Sequence, residues 1–300
     1  MNPQPLSVSE EIRTALSEGR AVVALETSVL AQGLPSPANL EAIGSMTSAI
    51  RGAGAEPAWI SVADGRVLVG TDEGLLHRLA QGGAMKVARR DLPMAVATGG
   101  IGATTVSAML WAAHHAGIEV AATGGIGGVH PGTGDVSADL LELARTPSTL
   151  VCSGPKSIVD PAATMERLEE LGVGVIGYRA EQLPFFLVSE ADVSLEHVAE
   201  DPAEVASAAK ARAVLGIEST LLVCNPIPAE LAMAADEVSN AVRACEDRAA
   251  REGVAGKLVT PFLLSCLAEM TEGRSIQANL ALLESNARLA AQIAVALARA

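Results

Sequence analysis

Four apolar runs in this sequence each end in a group capable of chemistry. Residues 21–25 lead into Glu26, and residues 119–122 into Thr123-Gly-Gly-Ile-Gly-Gly-Val-His130. Residues 148–152 lead into Ser153-Gly-Pro-Lys156, and residues 219–224 into Asn225-Pro-Ile-Pro228. Read as buried strands of an open α/β sheet, they deliver a carboxylate, a glycine-rich loop, an amine and an amide to one edge. That edge, outside the carboxyl ends of the strands, is where such sheets bind ligands. A lysine placed there can attack an electrophilic carbon only as the neutral amine. Desolvation or neighbouring cations must then lower its pKa from about 10. Taken alone, a lysine is by default a solvated surface residue.

The glycine loop allows two readings. Gly124, Gly125, Gly127 and Gly128 permit close backbone approach and expose N–H groups to an anion, which suits a monophosphate; a plain tight turn explains them equally. The dinucleotide fingerprint fails on spacing, since His130 stands where the last glycine belongs, and no Gly-Lys-Ser/Thr follows to complete a P-loop. Lys86, Arg89 and Arg90 form a basic cluster, either a solvated face or a phosphate attractor. Asp135 and Asp139 lie four apart around an expected helix start. Capping and helix-dipole compensation are the ordinary roles there. A lone carboxylate with water would alternatively suit Mg²⁺ or Mn²⁺. His114 and His115 are adjacent on a helix and face two directions, which disfavours a metal pair.

The elements that must position these groups alternate between types. Ser7-Val-Ser-Glu10 reads as a capping box opening a short helix that stops at Gly19. Pro37 starts an amphipathic helix with Leu40, Ile43, Met46 and Ile50 on one face. Residues 59–62 and 67–69 flank the hairpin signal Asp64-Gly65. Helical patterns cover 72–80, 104–116, 137–145, 157–171 and 202–215, and a further strand covers 173–176. Residues 237–300 are nearly all helix, broken at Gly253, Gly256, Pro261 and Gly273. The expected fold is α/β, a three-layer α/β/α sandwich over a largely parallel or mixed sheet. With no compositional break to mark a linker, residues 1–300 are expected to form a single domain.

Composition narrows the partners. A net charge of −14 and 2% aromatic residues disfavour a nucleic-acid groove or base-stacking platform. Mean hydropathy is +0.33, but it comes from many short runs. No apolar span of about 18 residues is expected, and Arg13 with the early acids spoils a signal peptide, so no membrane partner is expected. Cys152, Cys224, Cys245 and Cys266 form no CxxC pair, which points to reduced, buried thiols in the cytoplasm.

Further stretches carry a family resemblance. They include Ala24-Leu-Glu26, Gly33-Leu-Pro, Lys86-Val-Ala-Arg-Arg-Asp91 and Gly102-Ala-Thr-Thr-Val106. Thr123 to His130, Asp135-Val-Ser-Ala-Asp-Leu140, Lys156-Ser-Ile, Asn225-Pro-Ile-Pro228, Thr260-Pro-Phe-Leu-Leu264 and Asn286-Ala-Arg complete the set. In this order they resemble the pseudouridine-5′-phosphate glycosidases, also called the indigoidine-synthase-A-like family. The resemblance implies reversible cleavage of pseudouridine 5′-phosphate to uracil and ribose 5-phosphate through a lysine imine (Schiff base), a lyase-class glycosidase of nucleotide catabolism. It implies a divalent ion, typically Mn²⁺ and one per subunit, and a homotrimer. By motif position, Lys156 would be the nucleophile and Glu26 the proton donor. Lys86, Val106, Ser137, Ala138 and Asp139 would bind substrate, Thr123 and His130 would meet the phosphate, Asn279 would be an active-site amide, and Asp135 would hold the metal. Glu26 is followed by Thr27-Ser28 where the family usually has Ser-Thr, and the loop from His130 to Asp135 is about three residues shorter than usual. The competing readings are a phosphosugar or nucleoside kinase and a non-catalytic phosphometabolite-binding protein.

Overall fold

The strands that end in the candidate residues lie side by side in one mixed sheet. This computed structural model describes residues 5–131, 134–254 and 256–299. Its strands are β1 (Leu6–Val8), β2 (Val22–Leu25), β3 (Glu56–Ala63), β4 (Arg66–Val69), β5 (Met85–Val87) and β6 (Gly102–Thr104). They continue with β7 (Val120–Ala122), β8 (Thr149–Cys152), β9 (Gly174–Tyr178), β10 (Val198–Ala199) and β11 (Leu221–Cys224). The order across the sheet is β1-β4-β3-β2-β7-β8-β11-β9-β10, with β6 joining β3 to β5. Every pairing is parallel except those of β3 with β4 and with β6. Leu25 pairs with Ala122, Ala122 with Val151, and Cys152 with Cys224. That register brings the residues after all four strands out on the same edge.

The helices are α1 (Glu10–Ser17), α2 (Ala38–Gly52), α3 (Glu73–Ala80), α4 (Leu92–Thr98), α5 (Val106–Ala116) and α6 (Ala138–Leu143). After these come α7 (Pro161–Glu170), α8 (Pro202–Val214), α9 (Ala235–Arg251), α10 (Val259–Met270) and α11 (Arg274–Ala298). β2, β7 and β8 are buried along their whole length, as expected of parallel strands covered on both faces. Their side chains alternate between two cores. Val23, Leu25 and Val151 pack with α2, α10 and α11, whereas Val22, Ala24, Leu150 and Cys152 pack with α1, α5 and α7. The three-layer α/β/α arrangement follows.

Several elements depart from expectation. Ser9 rather than Ser7 caps α1, accepting from Ile12 N, because Ser7 is taken into edge strand β1 beside β4. Thr104 ends strand β6 instead of opening α5, because its hydroxyl and that of Thr27 both bond the Ile60 carbonyl inside the sheet. The segment from Ser157 becomes helical only at Pro161, where Asp160 caps α7. Pro261 does not break α10; it sits in the first turn, where the missing N–H costs nothing. Leu40 is exposed while Ile43, Met46 and Ile50 are buried. The Asp64-Gly65 hairpin forms, with both residues at positive φ as a tight two-residue turn requires.

Two corrections are larger. α11 is long and apolar enough by length and composition to cross a membrane, contrary to the expectation that no such span exists. It is a core helix instead, with Leu282, Ala287, Ala290 and Ile293 fully buried between α2, α8 and the sheet. Cys245 of α9 and Cys266 of α10 form a disulfide with Cα atoms 5.8 Å apart, so only Cys152 and Cys224 are free buried thiols. The two sulfurs belong to neighbouring helices, a proximity that their separation of 21 residues does not reveal.

Candidate active site

A cavity of ≈ 270 Å³ opens on the edge where β2, β7 and β8 end. Glu26, Lys86, Val106, Thr123, His130, Asp135, Ser137, Ala138, Asp139, Lys156 and Asn279 all line it. The structure therefore brings these eleven residues together from seven stretches of chain, whereas Arg89, His114, His115 and Asn225 do not line the cavity.

Glu26 is the most constrained of them. It is 6% exposed, and its Oε2 accepts from Ser28 Oγ at 2.8 Å and from Val29 N at 3.0 Å. Thr123 Oγ1 donates to Oε1 at 3.4 Å. Burial raises the pKa of this carboxyl group above its ordinary value, while the charge of Lys156 and the bonds from Ser28 and Val29 act in the opposite sense. A buried carboxyl beside an amine is suited to hold and return a proton. The Thr27-Ser28 order has a function here, since Ser28 serves Glu26 and Thr27 serves the sheet. Thr123, expected to meet a phosphate, lines the cavity and donates its hydroxyl to Glu26.

Lys156 follows β8 in an irregular loop, and its backbone N–H donates to Ile126 O at 3.0 Å. The bond fixes the lysine loop to the glycine loop. His130 is half-buried, and burial lowers its pKa; the charge of Asp135 opposes this, while Lys156 and Lys86 push the same way. Lys86 and Arg90 bring positive charge to the cavity lining, beside His130, and α5 starts at the same cavity with Val106. The positive end of an eleven-residue helix favours an anion there. Arg89 of the same basic cluster is not part of this lining. It pairs at 2.7 Å with the fully buried Glu142, a structural ion pair.

Packing leaves no room for side chains on the glycine loop. None of its four glycines has positive φ. A Cβ on Gly125 would lie 2.7 Å from the Phe186 ring, one on Gly127 2.3 Å from Ser137 Oγ, and one on Gly128 2.2 Å from Thr164 Oγ1. Three neighbours press where side chains would stand, and Gly124, Gly125 and Gly127 also line the cavity. Asp139 plays a positioning role in the same packing. Its two carboxylate oxygens accept from Gly127 N at 3.1 Å and Ser107 N at 3.2 Å, tying the loop to α5. Ser137 is the cap of α6, a role that had been one option for Asp135.

Asp135 is exposed at the cavity mouth. Among the described residues no three His, Cys, Asp or Glu side chains cluster as a metal cage. A single carboxylate with room for water fits an oxygen-preferring ion that keeps much of its hydration, such as Mg²⁺ or Mn²⁺, and not Zn²⁺. Residues 132–133, within the short loop before it, lie outside the described residues.

Two positioning residues were not assigned from sequence. Asn286 of α11 is fully buried, and its Nδ2 donates to Thr123 O at 2.9 Å and Gly124 O at 3.3 Å. Its Oδ1 accepts from Asn225 Nδ2 at 2.9 Å and Ser153 Oγ at 3.3 Å. One amide thus links the loops that follow β7, β8 and β11. The available signal was an asparagine on the apolar face of a helix, flanked by Leu282, Leu283 and Leu289. Ser28 was the other, and its position two residues after a buried acid was the clue.

Residues 11–296 match the family model of indigoidine synthase A like protein. The chain belongs to that family. Within it, the chain is 50% identical over 285 residues to a protein of Gemmatimonas aurantiaca named pseudouridine-5′-phosphate glycosidase, covering 94% of this chain and 93% of that one. It is 45% identical to the protein of that name from Paracoccus denitrificans, covering 99% of each. Among solved structures, a prealnumycin C-glycosynthase in complex with ribulose 5-phosphate shares the family fold with a TM-score of 0.90 and 40% identity, covering 99% of this chain and 98% of that one. An indigoidine synthase A-like protein from Thermotoga maritima also has a TM-score of 0.90, at 39% identity over 98% of this chain and 97% of that one.

Proposed function

We propose that this chain is an enzyme that reversibly cleaves the carbon–carbon glycosidic bond of pseudouridine 5′-phosphate, giving uracil and ribose 5-phosphate. The observation that carries the reading is the buried carboxyl of Glu26 set beside Lys156 in one cavity that Lys86 and Arg90 also line. The names of its relatives support it.

The chemistry needs both groups. Uracil bound through carbon has no glycosidic nitrogen to protonate as a leaving atom. In the proposed sequence, Glu26 gives its proton to the ribose ring oxygen as the Lys156 amine attacks C1′. A C1′–N bond forms, the C1′–O4′ bond breaks, and the ammonium formed at Lys156 returns a proton to the Glu26 carboxylate. The reprotonated Glu26 then gives its proton to C5 of uracil, and the lysine nitrogen pair forms C1′=N⁺ as the C1′–C5 bond breaks and its electrons return to the base. Water adds to the iminium carbon, its released proton returning to the Glu26 carboxylate, and ribose 5-phosphate and the free amine leave. Lys86, His130 and the start of α5 at Val106 hold the phosphate, so binding energy remote from C1′ orients the reacting carbon. Ser137, Ala138 and Asn279 line the remaining wall. Asp139 acts by holding the loop and helix together rather than by carrying a proton. Asp135 would hold one Mn²⁺ per subunit, whose charge would polarise the base carbonyls through water.

The resemblance supports a homotrimer working as a single-domain enzyme in the cytoplasm, although a disulfide is unusual in a reducing compartment. The names of the relatives favour the glycosidase over the kinase alternative. The test is to incubate the purified protein with pseudouridine 5′-phosphate and Mn²⁺ and to quantify uracil. Release of uracil in equal amount to ribose 5-phosphate is expected; intact substrate, or turnover only with added ATP, would overturn the reading.

A further inference from the structure

Among the described residues, four other than glycine hold positive φ: Asp64, Arg179, Phe186 and Glu272. Three of them are exposed, whereas Phe186, at φ 55°, is buried and lines the cavity that holds Lys156. A bulky side chain in the left-handed region is strained, and such strain persists only where the surroundings impose it. Here the chain turns back on itself. Phe185 N–H donates to Val188 O at 3.2 Å and Val188 N–H to Phe185 O at 3.0 Å, leaving Phe186 and Leu187 at the tip. Glycine is the usual first residue of a two-residue turn whose positive φ falls at that position alone.

The turn is laid on the lysine loop. Phe186 N–H donates to Ser153 O at 2.7 Å. Ser157 Oγ donates to Phe185 O at 3.2 Å and accepts from Leu187 N–H at 3.4 Å. These bonds straddle Lys156 in the chain. Gly154 lets the two segments approach, since a Cβ there would lie 1.8 Å from Pro184 O. The Phe186 ring abuts the glycine loop, 2.7 Å from where a Cβ on Gly125 would stand. The next residue of that loop, Ile126, donates its N–H to Gly154 O at 3.1 Å and accepts from Lys156 N–H at 3.0 Å. One residue therefore meets the lysine loop with its backbone and the glycine loop with its ring.

We propose that Phe186 is a positioning residue that acts through Lys156: its strained turn clamps the lysine loop to the glycine loop and so fixes where the amine stands beside Glu26. The proposal rests on the C-glycosidase reading above. It needs no contact between the ring and the substrate. Glycine would satisfy the backbone with less strain, so what phenylalanine adds at this position is its ring. A lysine loop released to shift by about 1 Å would slow attack by up to about a hundredfold, because the amine must approach the carbon in a narrow geometry.

The experiment reads imine formation directly, with ribose 5-phosphate and excess borohydride. The Lys156 amine and the C1 aldehyde of the open sugar lose water to form the imine, and hydride reduces it to a secondary amine detected by peptide mass. The trapping rate is measured against ribose 5-phosphate concentration for wild type, Phe186→Gly and Phe186→Tyr, each checked for folding by circular dichroism. Phe186→Gly is expected to lower the rate at saturation by about tenfold or more, while half-saturation moves by less than about threefold. Phe186→Tyr keeps the ring and is expected to trap within about threefold of the wild-type rate. A folded Phe186→Gly that traps as fast as wild type overturns the positioning role, as does a Phe186→Tyr as slow as Phe186→Gly. A change confined to half-saturation also overturns it, because Phe186 would then belong to the binding surface. Absence of any Lys156 adduct in wild type overturns the imine and the C-glycosidase reading, and the positioning role with them. If Phe186→Gly does not fold, Phe186→Leu, which keeps apolar bulk without the flat ring, is judged by the same rate.

Discussion

Asn286 Nδ2 donates to the carbonyl oxygen of Thr123 at 2.9 Å, joining core helix α11 to the loop whose next function is to hold Glu26. The same amide oxygen accepts from Asn225 and Ser153. Replacing Asn286 with Leu removes all of these bonds and leaves buried carbonyls at Thr123 and Gly124 without that donor. The expected cost is roughly 2–4 kcal/mol, since each buried group left unpaired costs about 1–3 kcal/mol. Denaturant titration measures the loss. Because Thr123 and the lysine loop both shift, kcat is expected to fall with stability; a stable variant with wild-type kcat would show that the amide only fills space.

Lys156→Ala is expected to abolish turnover, by at least about a thousandfold, with thermal stability close to wild type. The side chain is half-buried at the end of a loop, and the fold depends on its backbone bond to Ile126, which alanine keeps. Borohydride added with ribose 5-phosphate should leave a reduced pentose phosphate adduct on the peptide containing Lys156, visible by mass spectrometry. An adduct on another lysine would reassign the nucleophile.

Glu26 gives a pH signature. Burial raises its pKa, so the folded protein holds this proton at pH values where the unfolded chain has released it. Its contribution to stability is therefore fully present below the unfolded carboxylate value of about 4.3 and is lost as pH rises through the raised folded value. Chemical denaturation of wild type and Glu26→Gln from about pH 4 to pH 8 should show the difference, wild type minus variant, falling as pH rises. A rising difference would mean that the Ser28 and Val29 bonds outweigh desolvation. In kinetics, the same deprotonation should form the alkaline limb of kcat/KM, and Glu26→Gln should lose turnover at every pH.

The sequence made the strand ends legible because buried parallel strands are written as short apolar runs, and the group that follows each run needs no tertiary knowledge to find. Glu26, Lys156 and His130 were found in this way. What stayed hidden depended on contacts between distant stretches. The role of the glycines could not be read because Phe186, Ser137 and Thr164, which press on them, arrive from three other elements. Arg89 looked like its neighbours Lys86 and Arg90 until Glu142 was seen beneath it. The membrane-length apolar character of α11 was missed because Arg and Glu residues punctuate the helix, though they lie on its outer face. Cys245 and Cys266 gave no motif, since a disulfide between two helices depends on how the helices pack.

That disulfide joins α9 to α10, and α10 contributes Thr260, Pro261 and Leu264 to the cavity wall. Closing a loop of this length stabilises by about 3 kcal/mol in the chain-entropy account. Reduction by dithiothreitol, or Cys245→Ser, is therefore expected to lower the melting temperature by several degrees, with the loss centred on α9 and α10. Hydrogen exchange should show α9 and α10 losing protection while β7 and β8 keep theirs, since the strands are held by the sheet and by α11. The wall supplied by α10 binds substrate without touching C1′, so KM is expected to rise more than kcat falls. Equal melting and equal KM with and without reductant would show that helix packing alone holds the wall in place.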